Sequence, residues 1–525
     1  MNANLEEFYK NGLTWIKSYF WILLVFLLAF LFRFFLIESN PHIQVDEPAT
    51  FYISAPSVES KSQDFLKKDW DKFSIEKQRN YSGQELNNLL FKPESSIKSM
   101  VEDLKLTRLQ KMDRQHPSLY YSLVRIWNNY LGDFDKDKYL LHARMLNLIF
   151  FCFSFFFMYR LLALIKNDKI FITIALIFAF LNVGSISLSA LAREYALQET
   201  FFILTTYYTL FLYKKIDIGE RISLKTSVLC SLSFALFLVS SYFSVVYYAI
   251  LFLILFAKSI VKKSKKHINL LVLIILVSAI FTLILCPNYF DFKTNNEHYN
   301  SVSSAFSLLA FLSSSVPLVQ AFKYLLVNLI YPPVLYFVFF FIFLSRFQMI
   351  DMKRDSSDEQ KNIITFLLII VGFWFAIVLF LTPYKCLRFF AAGISVFSLL
   401  FSLMTFNFKL YIKTLLAIIF IMFTLVTYTT GTWYDTYDRS VIYQEETTNS
   451  LPSVVLNPTY FFLDYAFLSL NENNIVRFED KNLLKNLPIK GLYKLVCDKN
   501  TKPNSKVTPM CILDMRVYLS SNSNN

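Results

Sequence analysis

Charged residues are scarce in this chain of 525 residues: Asp, Glu, Lys and Arg make up 17% of it, against 55% hydrophobic side chains. Soluble domains normally carry about 25% charged residues. The composition therefore excludes an ordinary cytosolic enzyme and a disordered protein. The mean hydropathy of +0.42, together with 57 Phe and 31 Tyr, predicts a protein that crosses a membrane several times.

Cysteine is scarce as well, and the six present show no C-x-x-C and no Cys/His ligand spacing, which excludes a disulfide scaffold. Four of them lie in or beside apolar runs and are interpreted as small apolar residues: Cys152, Cys230, Cys286 and Cys386. Cys497 and Cys511 lie instead in two β-like runs separated by a polar turn. That arrangement predicts a cross-strand disulfide.

Apolar stretches of about 20 residues, long enough to cross a hydrocarbon core, recur along the chain. We predict eleven crossings, at 16–37, 139–162, 170–189, 197–213, 226–242, 243–257, 268–286, 325–345, 363–382, 389–406 and 412–430. The run 226–257 is either two short helices or one long one. Only if this run crosses the membrane twice do Lys and Arg concentrate in every second connection between crossings. Connections rich in Lys and Arg mark the cytoplasmic side. The pattern predicts a cytoplasmic N-terminus and an extracytoplasmic C-terminus.

The predicted organisation is an all-α transmembrane module, residues 1–430, with a long first extracytoplasmic loop, 38–115, and a small mixed α/β C-terminal domain, 431–525.

The net charge of +13 raises the question of a nucleic-acid partner. The first loop holds 12 Lys and Arg against 13 Asp and Glu, so the basic excess is mainly a signal of topology. Because no basic groove with interleaved aromatic residues is visible, we expect no nucleic acid among the partners.

Asp46 and Glu47 form an acidic pair about nine residues beyond the first apolar run. Two carboxylates near the membrane interface can act as a general base and as a ligand for a metal ion or a sugar hydroxyl. A solvated turn or a helix cap is the alternative. At the end of the same loop, His116 precedes Pro117, which fits the first turn of a helix, and could face a site or lie on the surface.

Aromatic residues follow, and Tyr120, Tyr121 and Trp127 are interpreted as an aromatic belt at the membrane interface. Arg193 and Glu194 lie next to apolar sequence, where charges are costly unless they are paired or bind a ligand.

Lys385 and Arg388 lie in a very short connection on the predicted extracytoplasmic side, where positive residues are disfavoured. An anionic ligand would explain them. Snorkelling of both side chains to lipid phosphate is the alternative.

The order of these features resembles the GT-C glycosyltransferases that use polyprenyl-phosphate donors, in particular the branch of protein O-mannosyltransferases and lipid A aminoarabinose transferase. The resemblance covers residues 15–215 well and is diffuse beyond them. The motifs that carry it are Asp46-Glu47, the run His116-Pro117-Ser118-Leu119-Tyr120-Tyr121 with Trp127 and Leu131-Gly132, the helix opening Leu140 to Leu146, Ala192-Arg193-Glu194-Tyr195-Ala196-Leu197, and Arg388-Phe389-Phe390. Ser118 stands where these enzymes usually have a second proline.

The resemblance implies transfer of a sugar from a polyprenyl-phosphate donor to a hydroxyl group of a glycolipid, glycan or protein of the cell envelope. It implies an integral membrane protein, of the bacterial inner membrane, with its active site facing the periplasm or the exterior. Asp46 would be the base, with inversion at the sugar, and Glu47 would orient it or help to hold a divalent metal ion; metal use stays open. The donor or its phosphate would be bound by His116, Arg193, Tyr195, Lys385 and Arg388.

Two other functions compete with this one. A transporter or flippase for lipid-linked saccharides would be expected to show inverted repeats and helices broken by Gly or Pro, and neither is evident in a chain with 9 Gly. A polymerase of lipid-linked saccharides would be expected to carry its main catalytic loop late in the chain, whereas the long loop here is the first.

Overall fold

The structure is a computed structural model with full side chains. It describes residues 2–39, 43–44, 47–54, 80–83, 85, 96–108, 117–128, 136–241, 244–287, 289, 358–381, 393–404, 410–430, 441–442, 453–456, 475–479, 494–498, 507–512 and 515–520. The predicted crossing at 325–345 lies outside the described residues.

The described part is mainly helical, and the other predicted crossings each coincide with a helix or helix pair. The helices are α1 (Asn2–Ser39), α2 (Glu47–Ser54), α3 (Ile97–Arg108), α4 (Leu119–Trp127), α5 (Lys136–Ile165), α6 (Lys169–Phe180), α7 (Val183–Ser189), α8 (Tyr195–Asp217), α9 (Leu224–Leu238), α10 (Ser244–Val261), α11 (Lys265–Leu285), α12 (Asp358–Leu381), α13 (Ile394–Met404) and α14 (Leu410–Thr430). The ambiguous run 226–257 is two helices, α9 and α10, separated by a turn at Val239–Ser240.

Several helices are long and apolar enough to cross a membrane, which makes this an integral multi-pass membrane protein. Among the described residues four pass by length and composition, within α1, α5, α10 and α11, and a fifth is counted if α6 and α7 form one span. These two helices meet at an angle of 62°. Gly184, the second residue of α7, lies just beyond the bend, and the prediction of one crossing at 170–189, with no helix evidently broken at Gly or Pro, is wrong here.

The transmembrane core is packed largely by aromatic rings. Phe26 of α1 stacks on Phe151 of α5 with ring centroids 5.8 Å apart. Trp374 of α12 is 1% exposed and contacts Phe202 of α8 edge to face at 5.2 Å. A Cβ atom added at Gly393 would lie 2.5 Å from the Trp374 ring, so only glycine permits α13 to approach α12 this closely.

Strands in the described C-terminal part join strands from the first loop. They are β1 (Ile43–Gln44), β2 (Asn80–Ser82), β3 (Val441–Ile442), β4 (Ser453–Leu456), β5 (Ile475–Glu479), β6 (Lys494–Asp498), β7 (Val507–Ile512) and β8 (Met515–Ser520). β1 pairs with β3, and a mixed sheet has the order β2-β5-β4-β6-β8-β7. The division of the chain at residue 430 stays a prediction.

The strand order argues against the predicted disulfide. Cys497 on β6 and Cys511 on β7 both pair with Arg516 on β8, which lies between their strands. Two strand spacings separate the cysteine backbones by roughly 9.6 Å, whereas bonded cysteines have Cα atoms no more than about 7 Å apart. The β-like character of both runs was predicted, but the return of β8 between them was not.

Candidate active site

Three short helices of the first loop are fixed to one end of α5 by buried polar contacts. The Tyr139 hydroxyl donates to the Ser54 carbonyl at the end of α2, at 2.7 Å. Arg125 of α4 pairs with Asp103 of α3 at 2.9 Å, and the Trp127 indole donates to the His142 carbonyl at 2.9 Å. These contacts place the first turn of α2 against the joint between α7 and α8.

Glu47, the first residue of α2, is fully buried and is held by two other elements. Arg144 of α5 donates from Nε to Oε1 at 2.9 Å and from Nη2 to Oε2 at 2.7 Å. The backbone N–H of Ala192, in the joint between α7 and α8, donates to Oε1 at 2.7 Å. Bidentate pairs of this kind are strong and directional, so Glu47 locks the first loop onto both α5 and the joint.

Arg193 and Glu194 form a second ion pair in the same place. Arg193 Nε lies 3.4 Å from Glu194 Oε2, with both side chains 1% exposed. The Arg193 guanidinium also lies 5.8 Å from the centre of the Tyr121 ring, within range of a cation–π contact. The sequence left two explanations for these charges, pairing and binding of a ligand, and the two side chains lie together as a pair.

The two pairs, Glu47–Arg144 and Arg193–Glu194, are referred to below as the charge quartet. Its formal charges sum to zero, two arginines against two glutamates. Buried charges are costly unless they are compensated. An anionic ligand at this site can take the place of one of the carboxylates as the partner of an arginine.

Tyr120 of α4 covers the charge quartet and is 1% exposed. Burial raises the pKa of Tyr120 well above its usual value, and the charges of Glu194 and Glu47 raise it further. The hydroxyl thus stays protonated at physiological pH, and it donates to Asn147 Oδ1 at 3.4 Å. Asn147 in turn donates to the Leu191 carbonyl at 2.6 Å, which ties α5 to the joint a second time.

Comparisons with known proteins give structural neighbours only. No protein-family model matches the chain. No curated protein matches it either.

One solved structure that matches is that of ArnT from Cupriavidus metallidurans bound to undecaprenyl phosphate, with 10% identity, 96% of this chain and 99% of that chain covered, and a TM-score of 0.44. The apo state of the same protein matches with 10% identity, 96% and 98% coverage and a TM-score of 0.38. At TM-scores below 0.5 the likeness by itself supports no inference.

The structure brings together three of the residues predicted for the site. Glu47 and Arg193 belong to the charge quartet, and Tyr195, 1% exposed, begins α8 directly after it. The other predicted site residues lie outside the described residues: Asp46, His116, Lys385 and Arg388. Among the residues that are described, no group of three or more His, Cys, Asp or Glu side chains could hold a metal ion.

Sequence reasoning missed several members of this site. Arg144 was visible in a motif, but its partner is 97 positions away, so no local pattern joins the two. Tyr120 and Tyr121 were interpreted as an interfacial aromatic belt, which is wrong, because they are 1% and 0% exposed and face the charge quartet. A tyrosine at the interface and one in a buried site look alike in sequence.

Proposed function

We propose that the protein is a membrane glycosyltransferase that moves a sugar, a hexosyl or pentosyl group, from a polyprenyl-phosphate donor to a hydroxyl acceptor on the extracytoplasmic face. The observation that carries this proposal is the charge quartet, where the first loop, α5 and the joint before α8 converge. Ionisable side chains at the edge of a membrane domain are expensive and generally serve a ligand or a reaction. The motifs that resemble the GT-C enzymes contain all four of its residues.

Donor phosphate would be bound by Arg193. A phosphate oxygen can take the place of Glu194 beside the guanidinium, because both are anionic oxygens that a planar arginine accepts. Cationic stabilisation of the phosphate is what the reaction needs, since negative charge develops there as the glycosidic bond breaks. Lys385, Arg388, His116 and Tyr195 are the further candidates for this surface. ArnT was solved with undecaprenyl phosphate, and a donor of that lipid class fits this proposal.

Asp46 would be the general base that accepts the proton of the acceptor hydroxyl. Its carboxylate has to be positioned, and its chain neighbour Glu47 is anchored by three hydrogen bonds from Arg144 and Ala192. We therefore assign Glu47 a positioning role instead of metal binding. A single displacement with Asp46 as base gives inversion at the sugar.

The paired strands support a common side for the first loop and the C-terminal part. Ile43 of β1 pairs with Ile442 of β3, and Tyr81 of β2 pairs with Val476 of β5, so β1 and β2 share one side of the membrane with β3 and β5. An even number of crossings must lie between them. This parity is consistent with eleven crossings in all and with a periplasmic or exterior site in a bacterial inner membrane. The region 431–525 would then lie beside the site and contribute to recognition of the acceptor glycolipid, glycan or protein.

A flippase for lipid-linked saccharides is the second candidate, favoured by the break between α6 and α7. Broken helices at membrane depth are typical of transporters. The two functions differ in one product: a flippase moves the donor across the bilayer with its glycosidic bond intact, whereas a transferase releases the polyprenyl phosphate. Separating intact donor from free polyprenyl phosphate by thin-layer chromatography distinguishes them. A saccharide polymerase would instead lengthen a lipid-linked chain.

The assignments within the site are tested by two variants in lipid nanodiscs with a polyprenyl-phosphate sugar. Asp46→Asn keeps the shape but cannot accept a proton, so turnover should fall by about 10²-fold or more with donor affinity nearly unchanged. Arg193→Gln should weaken donor affinity as well as turnover. Near-normal sugar transfer by the Asp46→Asn variant would rule out Asp46 as the general base. Unchanged donor affinity in Arg193→Gln would remove Arg193 as the phosphate ligand.

A further inference from the structure

The break between α6 and α7 is stabilised by polar side chains at three positions, one in the break itself and two on other helices. Bending the chain frees the last carbonyls of α6, which in a membrane must find other donors. Asn182, in the break, donates from Nδ2 to the carbonyls of Phe178 and Ala179 at 3.0 and 2.6 Å. Arg33 of α1 donates to the carbonyl of Phe180 at 2.9 Å. The Ser395 hydroxyl of α13 lies 3.1 Å from the carbonyl oxygen of Ala179 and shares its single proton between this carbonyl and the Glu199 carboxylate.

Two residues of opposite formal charge lie beside this break, and each is held by a serine. Arg33 Nη2 donates to Ser185 Oγ of α7 at 2.7 Å. Glu199 Oε1 of α8 accepts from the Ser395 hydroxyl. Arg33, Ser185 and Ser395 are fully buried and Glu199 is 3% exposed. The Arg33 guanidinium also lies 4.0 Å from the centre of the Phe151 ring, within range of a cation–π contact.

The direction of α7 decides where the charge quartet lies. α7 has seven residues and runs directly into the joint, where the Ala192 N–H binds Glu47 and Arg193 pairs with Glu194. Any change in the angle at Asn182 would therefore move both groups together. A break held only by Asn182 would leave the Phe180 carbonyl without the bond from Arg33.

We propose that Arg33 and Glu199 are positioning residues: Arg33, through Ser185 and the Phe180 carbonyl, and Glu199, through Ser395, fix the angle between α6 and α7 and so place Ala192 and Arg193 in the charge quartet. The effect of Arg33 and Glu199 on the angle between α6 and α7 does not depend on which reaction the protein catalyses. Their effect on turnover rests on the proposed function. A role in bundle stability alone would need only that the two charges balance, because a buried pair can be replaced by two apolar side chains at little cost. Positioning needs the donor groups of Arg33 as well.

The test compares Arg33→Met, Glu199→Met and the double variant in nanodiscs, with Thr200→Val as the matched control. Thr200 neighbours Glu199, and its hydroxyl bonds to Ser154 of α5 at 2.8 Å, away from the break. Three quantities are measured: the thermal midpoint, amide hydrogen exchange of residues 190–194, and kcat and KM for the donor. Arg33→Lys serves as the conservative variant.

Each single variant should lower the midpoint, speed exchange at 190–194 and reduce kcat/KM, on the order of 10²-fold for a displacement of about 1 Å. The double variant should recover the midpoint but neither the exchange protection nor the turnover, and Arg33→Lys should recover part of all three. Thr200→Val should lower the midpoint only. Recovery of all three quantities by the double variant, or unchanged exchange in both single variants, would overturn the proposal. If the wild type cleaves no donor, the proposed function fails while the exchange experiment still decides this one.

Discussion

Replacing Glu47 by Gln should destabilise the protein strongly, because it removes the buried carboxylate that pairs with Arg144. Glu47 is 0% exposed, and Arg144 binds both of its carboxylate oxygens. Removing one partner of such a pair costs about 3–5 kcal/mol. The amide can still accept from the Ala192 N–H, so the loss should come mainly from the charge.

The assay is thermal unfolding in nanodiscs, with donor cleavage measured in parallel below the midpoint. The double variant Glu47→Met with Arg144→Met should regain much of the stability, since it leaves no unpaired charge, but not the activity. Asp168→Asn is the matched control, because Asp168 and Lys166 form an exposed pair 3.6 Å apart and such pairs contribute about 0–1 kcal/mol. If the free energy of unfolding of the Glu47→Gln protein lies within about 1 kcal/mol of the wild-type value, the large contribution assigned to the Glu47–Arg144 pair is refuted.

Three further predictions concern other parts of the chain. Cys497 and Cys511 should both be free thiols by mass spectrometry under non-reducing conditions, since β8 separates their strands; a peptide linking them would contradict the strand order. Reporter fusions should place the N- and C-termini on opposite sides of the membrane, and both termini on one side would refute the parity of the crossings. Hydrogen bonds from Lys258 and Lys262 hold the pKa of Asp217 below its usual range, so this group contributes stability above the unfolded-state pKa that is lost as the pH falls through the folded-state value. Asp217→Asn should therefore reduce the fall of the thermal midpoint at acidic pH. If the midpoint falls with pH in the variant as it does in the wild type, Asp217 does not make this contribution to stability.

The helices were predictable from sequence because a membrane demands long apolar runs, and those runs are visible residue by residue. The break at Asn182 was not, because its local signs are weak: Gly184 follows two residues later, but glycine is common in membrane helices generally. The other local sign was an Asn at a helix N-cap, where its side chain accepts from the N–H of Ser185. The bonds that stabilise the break come from α1 and α13, and no local pattern contains them.

The site could be predicted only in part for the same reason. Arg193 and Glu194 were recognisable because charges next to apolar sequence need partners. Glu47 was recognisable as half of an acidic pair, but its assignment to metal or base chemistry depended on what surrounds it. Arg144 occupies its carboxylate from a helix almost a hundred positions away, and a contact of that kind follows only from the packed fold.

The measurement that tests the central claim most directly is donor cleavage by the purified full chain in nanodiscs, with a polyprenyl-phosphate sugar and a mixture of envelope glycolipids as acceptors. A membrane glycosyltransferase should release free polyprenyl phosphate and transfer the sugar to a hydroxyl acceptor, and Arg193→Gln should weaken both. Donor that remains intact while it crosses the bilayer, at rates that Asp46→Asn leaves unchanged, would contradict the glycosyltransferase and favour a flippase.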